Sequence, residues 1–272
     1  MSKAVKKVDT KAEEEFLAKK LGPKQEALKS PTQKLIINVS TVDENGKNVA
    51  EHIGKFHVIG TDLYSDTIKF HPISTQNKLI KMTKTRGKDG VSTWNYVNET
   101  VFFSYYGDDL YDRRGGIACG KVFGDARKAL SKEEAVANAD KAKSFLYLFG
   151  LAYFPGREEP VLVDFRIGGK RITTVGDAFS SKTLGKGKHA CQFMYDLNLK
   201  PNPEGGVHPI LDVQIVSEIG VSAIMPYDDS IKEYVDAHNA RIMEQHTKYN
   251  SQQKAAEVVE DEDDNIDIGD DE

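Results

Sequence analysis

Hydrophobic and polar positions change rhythm several times along this chain. Residues 34–42, KLIINVSTV, are dense in β-branched side chains and stop at the turn-forming string Asp43-Glu44-Asn45-Gly46. Runs of the same kind follow at 55–60, 67–70, 78–83, 93–106 and 117–123, separated by Gly, Asn, Asp and Pro. Many short strands punctuated in this way predict a barrel or a sandwich. At residue 131 the period lengthens. Ser131 and Glu134 have capping-box spacing. Behind them Ala135, Ala139, Ala142, Leu146 and Phe149 recur at helical intervals, and Gly150 and Pro155 close the segment. Strands return at 160–167, at 170–175 after a Gly168-Gly169 turn, at 191–199 and at 210–216, with a short helix at 177–184. Ser230 and Glu233 open a last helix striped by Ile231, Tyr234, Val235, His238 and Ile242. This order fits a mainly β fold with inserted helices better than alternating βαβ units.

The two ends have another texture. Residues 1–32 are rich in lysine and punctuated by Gly22-Pro23 and Ser30-Pro31, which predicts a flexible N-terminal extension. The expected core spans 33–226, with a helical insertion near 131–150, followed by a C-terminal helix at 227–253 and a disordered acidic tail at 254–272. Ten of the sixteen residues at 257–272 are acidic and none is basic. The whole chain carries 42 acidic and 37 basic residues, a formal charge of −5; without residues 257–272 the balance is 32 against 37, or +5. A mildly basic body is thus joined to a detachable anion. Such a block buries too little apolar surface to offset its ordering entropy. It fits a plain solubilising tail, or a competitor for a basic groove that otherwise takes a polyanion.

The remaining composition narrows the choices. At 39% hydrophobic residues the chain builds an ordinary core, and no window approaches the roughly 18 to 20 apolar residues of a membrane span. Cys119 and Cys191 match no metal-ligand spacing, and no secretory pattern opens the chain, so a soluble, cytoplasmic protein without cofactor is expected. Gly115 to Lys121 satisfy the glycine and lysine spacing of a phosphate-binding loop, but Val122 stands where that loop needs a hydroxyl for magnesium. Tyr106-Gly107-Asp108-Asp109 resembles the metal-binding turn of some polymerases, without the second acidic strand such chemistry requires. A turn is the simpler account. The seven histidines (52, 57, 71, 189, 208, 238 and 246) show no zinc-protease spacing, and no nucleophile elbow is present. A non-enzymatic role is therefore expected.

Aromatic residues interleaved with positive charge carry the functional signal. Trp94, Tyr96, Phe102, Phe103, Tyr105, Tyr106 and Tyr111 crowd into eighteen positions and are followed by Arg113 and Arg114. Lys78, Lys81, Lys84, Arg86 and Lys88 precede them, and Arg166, Lys170, Arg171, Lys182, Lys186 and Lys188 form a third group. Single-stranded nucleic acid calls for this mixture, since cations track phosphates and rings stack on unpaired bases. Core packing is the competing use of the rings. Alternation puts Trp94, Tyr96, Phe102 and Tyr106 on one face, unless a register shift near Asn98 breaks it.

The β-rich body, the basic and aromatic loops, the late helix and the tail EDEDDNIDIGDDE together resemble the single-stranded DNA-binding proteins of bacteriophage replication. The strings at 117–124 and 145–151 resemble that group as well. The resemblance implies an elaborated OB-like barrel that binds single-stranded DNA without sequence preference, in viral replication, recombination and repair within the host cytoplasm. It also implies a tail that shields the groove and docks on the replicative DNA polymerase and the helicase-primase, and it allows a homodimer. Glu260, Asp261, Glu262, Asp263, Asp264, Asp267, Asp270, Asp271 and Glu272 would supply the tail charge. Ile266 and Ile268 are its only apolar candidates near the end, because the chain stops at Asp271-Glu272 rather than at an aromatic residue. Two other readings stand beside this one. The first is an acidic-tailed interaction, transcription or replication accessory factor without its own groove. The second is a nucleic-acid enzyme using Asp108 and Asp109 with magnesium.

Overall fold

A computed structural model of the chain describes residues 28–43, 45–86, 92–106, 110–203 and 208–263, with the backbone alone at 85–86, 92–94 and 254–263. Nine strands form one mixed sheet: β1 (Gln33–Ile37), β2 (Phe56–Val58), β3 (Tyr64–Ser65), β4 (Thr67–Arg86), β5 (Ser92–Glu99), β6 (Lys143–Tyr153), β7 (Val161–Gly168), β8 (Phe193–Lys200) and β9 (Ile210–Glu218). Their order is β3-β2-β1-β7-β6-β4-β8-β9, with β5 added to the second half of β4. Only β1 and β7 run parallel. The sheet is not closed, and β3 and β9 are its end strands. The helices described are α1 (Gly124–Lys128), α2 (Lys132–Lys141), α3 (Lys170–Ala178), α4 (Ser181–Leu184) and α5 (Met225–Asp263). A mainly β body with a C-terminal helix is what the pattern predicts. No helix among the described residues is long and apolar enough to cross a membrane.

The axis of the sheet is β4, one strand of twenty residues where the sequence pattern shows two short runs. The polar stretch at 74–77 carries no hydrophobic signal, yet β6 supplies ladder partners along it, from Ser74 opposite Phe149 to Asn77 opposite Leu146. Pairing with a neighbour thus overrides local polarity. The strand bends where Pro72, which has no N–H to give, meets Gly150, and the register shifts by Ser74. Gly150 therefore sits in mid-strand rather than closing a helix. A Cβ there would lie 2.5 Å from the His71 carbonyl oxygen and 2.6 Å from Phe70 Cζ.

Other boundaries differ for identifiable reasons. Ser131 and Glu134 do form the capping box, with reciprocal bonds of 2.8 and 3.2 Å. The helix behind them ends at Lys141, however, and the apolar run that follows is β6. Both faces of β6 carry large apolar residues, so its sequence shows no strand alternation, and Ala142, Leu146 and Phe149 imitate a helical stripe. Residues 170–175 are helix rather than strand, beginning just after Gly169 at φ 63°. At 117–123 only Ile117 makes a bridge, and Ala118–Gly120 form a 3-10 turn. The last helix begins at Met225, with Pro226 in its first turn. It continues past Gln253, where a disordered tail was expected, through Lys254, Ala255, Ala256 and Glu257, all good helix formers.

The principal core lies on one side of the sheet, where Leu35, Phe56, Phe70, Leu148, Val163, Phe165, Ile167, Tyr195 and Leu197 pack beneath α3 through Val175, Ile172 and Ala178. Burying each large apolar side chain contributes about 1.5–3 kcal/mol. A second cluster joins Leu79, Phe103, Leu110, Cys119 and Ala142. A third sits on the other side of β6, where α5 lays Ile231 and Val235 over Phe102 and Phe149. Replacing Gly150 by Ala is expected to lower stability by about 1–3 kcal/mol in a denaturant melt, because the methyl group has no space against β4.

Candidate nucleic-acid interface

Successive residues of β6 face opposite sides. Leu146 and Leu148 enter the principal core, so Phe145, Tyr147 and Phe149 project from the other side. The ladder places Tyr147 between Gln76 and Arg166, and Phe149 between Ser74 and Asp164. Helix α5 covers the Phe149 end of this row. Beyond it Arg166 is the exposed residue of β7, its guanidinium carbon 5.1 Å from the Phe145 ring centroid and 5.8 Å from that of Tyr96. Arg166 also donates to the Tyr96 hydroxyl, and Tyr96 remains 48% exposed. The uncovered strip of sheet thus presents a cation stacked between two rings.

A buried polar cluster holds α5 in place. Lys78 is only 3% exposed and lies 2.6 Å from Glu99 Oε2. Its Nζ donates to His238 Nε2 at 2.7 Å and sits 4.8 Å from the Phe102 ring centroid. Next to it, the Phe102 N–H donates to Asn239 Oδ1 at 2.7 Å, and Asn239 Nδ2 returns a bond to the Phe102 carbonyl at 3.1 Å. Burial pushes the Glu99 carboxyl up, but the charge and hydrogen bond of Lys78 outweigh it and hold Glu99 below its ordinary value. Burial and the Lys78 charge depress His238 to about 4, so its neutral ring accepts a hydrogen bond from the Lys78 ammonium. Lys78 is therefore a structural cation under α5. Its predicted role as a phosphate-tracking side chain is corrected by this burial.

Between the N-terminal turns of α5, at Tyr234, and the open strip lies a cavity of 380 Å³ lined by Lys34, Ile36, Ile59, Lys78, Tyr96, Tyr147, Asp164, Arg166 and Tyr234, among others. Asp164 is its acidic group. Burial raises this carboxyl to about 6, partly offset by the Thr32 hydroxyl, which donates to Oδ1 at 2.9 Å.

The other predicted site residues divide. Lys81 and Lys84 are exposed on β4. Arg86 ends that strand with no side chain described, Lys88 lies outside the described residues, and Trp94 is placed by its backbone alone, opposite Lys84. The expected alternation fails at Val97, an extra residue between the pairs Lys81–Asn98 and Met82–Tyr96, and β5 stops at Glu99. Phe102 and Phe103 consequently enter separate clusters. Tyr105 is 87% exposed, whereas Tyr106 leans on Phe123, with centroids 4.6 Å apart, and bonds to Ser144 at 3.1 Å. Those last two rings border a separate cleft of 360 Å³ with Lys121, Arg127 and Asn138. Ser144 points oppositely to Phe145, so this cleft lies across β6 from the Arg166 strip. Tyr111 is half-buried, edge-on to His246 at 5.0 Å. Arg113 reaches Glu99 at 3.9 Å and donates to the Val97 carbonyl at 3.0 Å, while Arg114 is exposed.

The third basic group is split by the sheet. Phe165 and Ile167 enter the core beneath α3, so Lys170 and Arg171 at the start of α3 stand on the far side from Arg166. Arg171 donates to the Pro209 carbonyl at 2.8 Å, Lys188 pairs with Glu218, and Lys182 and Lys186 are exposed beyond them. Of the tail, Glu260, Asp261, Glu262 and Asp263 continue α5, while residues 264–272 lie outside the described residues. The Gly107-Asp108-Asp109 string lies outside them too.

The phosphate-loop string has its own occupant. The Asp112 carboxylate accepts the backbone N–H groups of Arg114 at 2.9 Å, Gly116 at 3.1 Å and Cys119 at 3.0 Å. A nest of amides that could receive an external anion is filled by the chain's own. Helix α5 seals it from above: His246 Nδ1 donates to the Asp112 carbonyl at 2.9 Å, and Asn250 closes over Gly115, where there is no room for a Cβ. Cys119 is buried beside Asp112, and its thiol is pushed up to about 12. Both cysteines are free.

Sequence pattern alone missed Tyr147, Phe145, Lys34, Asp164 and Tyr234. The first two sit in the run that imitates a helix. The others become neighbours only through the parallel β1–β7 pair and the crossing of α5. No protein-family model, curated protein or solved structure matches the chain.

Two titrations at this site oppose each other. His238 falls from an ordinary 6.5 to about 4, so between those values the unfolded chain takes a proton the folded chain refuses, and acidification removes stability. Asp164 rises from 3.8 to about 6, so over that range the folded chain holds a proton the unfolded chain has lost, and acidification adds stability. Asp164→Asn is expected to be more stable than the parent at pH 7, with the gain vanishing by about pH 4. His238→Gln is expected to lose less stability than the parent on acidification over the same range. Urea midpoints measured across it check both signs, and parallel curves for all three proteins would contradict them.

Proposed function

We propose that this protein binds single-stranded DNA through the open strip of its sheet and acts without enzymatic chemistry. The observation that carries the reading is Arg166 stacked between Phe145 and Tyr96 on a surface that α5 leaves uncovered. Unpaired bases offer ring faces to such a surface, and their phosphates offer charge to its cations, whereas a duplex hides its ring faces. Lys34 at the cavity and the exposed Lys84, on the same face of β4 as Met82 opposite Tyr96, supply further positive charge. In this reading the unclosed sheet built on β4 takes the place of the OB-like barrel in the phage replication proteins that the sequence resembles.

The acidic segment supports the same reading by its charge. It continues from α5, the element that walls the cavity, and moves the formal charge of the chain from +5 to −5. A tethered polyanion competes with DNA for the cationic strip, and displacement by DNA frees it for the replicative polymerase and helicase-primase. An accessory factor lacking its own groove is the reading this one must displace.

Fluorescence-anisotropy titrations with labelled oligo-dT and a duplex of equal length test the proposal. Binding to the single strand is expected to be tighter than to duplex and to weaken steeply with salt as counterions are released. Tyr96→Ala and Arg166→Ala should each weaken it by roughly 1–3 kcal/mol. Deleting residues 257–272 should tighten it at low salt. Equal affinity for duplex, or variants that bind like the parent, would overturn the reading.

A further inference from the structure

A groove for phosphates has no electrostatic use for a carboxylate, yet the cavity beside the open strip has Asp164 in its wall. Its surroundings are suited to a base rather than to a phosphate. Tyr147, Tyr234 and Phe102 give it aromatic walls, and its 380 Å³ falls within the roughly 300–1,000 Å³ of small-ligand pockets. Thr32 occupies Oδ1, so Oδ2 has no second side-chain donor among the described residues. Lys34, Lys78 and Arg166 line the same cavity, the first and last of them exposed and so available to phosphates beside the Asp164 acceptor.

Resting on the single-strand reading above, we propose that this cavity takes one unstacked base of the bound strand and that Asp164 accepts a hydrogen bond from its exocyclic amino group. Cytosine, adenine and guanine carry such a group. Thymine presents carbonyl oxygens there, which face the carboxylate unfavourably. Binding is then tolerant of sequence over most of the strand and biased against thymine at one position. Asp164 is the residue that sets the bias.

Competition between oligo-dC and oligo-dT of equal length at pH 7.5 tests this, using the full chain. The parent protein is expected to prefer oligo-dC by about threefold to tenfold, the range of one net hydrogen bond. Asp164→Asn and Asp164→Ala should bring the ratio close to one, through weaker dC binding with dT binding kept or improved. Circular dichroism establishes that each variant is folded, and the parent ratio decides the matter even where a variant is not. Equal affinity for the two strands in the parent, or a preference that survives both substitutions, overturns the assignment while leaving single-strand binding intact. No binding to either strand overturns the single-strand reading itself, and this inference with it.

Discussion

One buried cation decides how the molecule is arranged. Lys78 comes from the middle of β4, on the side of the sheet that α5 crosses, and its ammonium has almost no contact with water. A charge in that position is tolerated only when matched, and removing one partner of such a pair costs about 3–5 kcal/mol. Glu99 supplies the opposite charge from β5, and His238 supplies a neutral acceptor from α5. Two consecutive strands and a helix far along the chain are therefore tied to one point. The Asn239 clamp on Phe102 fixes the rotation of the helix beside it. With α5 held there, the Phe149 end of the row is covered and the Tyr147 to Arg166 end is left open.

That asymmetry separates the two faces of the sheet. One face is filled by the principal core and α3, and the basic residues at its surface are partly engaged, Arg171 by a carbonyl and Lys188 by Glu218. The other face exposes a guanidinium between rings, next to a cavity with aromatic walls and a single carboxylate. For the proposed single-strand binding, rings and cations on one uncovered strip offer stacking and charge together. The long helix that borders the strip also leads into the most acidic part of the chain, so the proposed shielding and the proposed recognition share one element.

The sequence carried some of this openly. Ser131 and Glu134 announced a helix start because the capping box is a local device satisfied by four residues. The stripe of Ile231, Val235 and Ile242 announced the last helix because one face of it is buried. What stayed illegible depended on partners far along the chain. The polar middle of β4 becomes strand only because β6 lies beside it, and β6 reads as helix because both its faces carry large apolar residues. Lys78 looked like its solvated neighbours Lys81 and Lys84, since nothing in the local pattern foretells His238 one hundred and sixty positions away. Within the aromatic stretch, a single extra residue at Val97 sent Phe102 and Phe103 to different clusters and left Tyr96 with Arg166.

Photo-crosslinking of oligo-dT to the full chain, mapped by mass spectrometry, tests the assignment of faces most directly. The arrangement described here predicts adducts at Tyr96, Phe145 and Tyr147, diminished by excess unlabelled single strand but not by duplex. Adducts confined to the Lys170 to Lys188 side of the sheet, with none on the Arg166 strip, would contradict it.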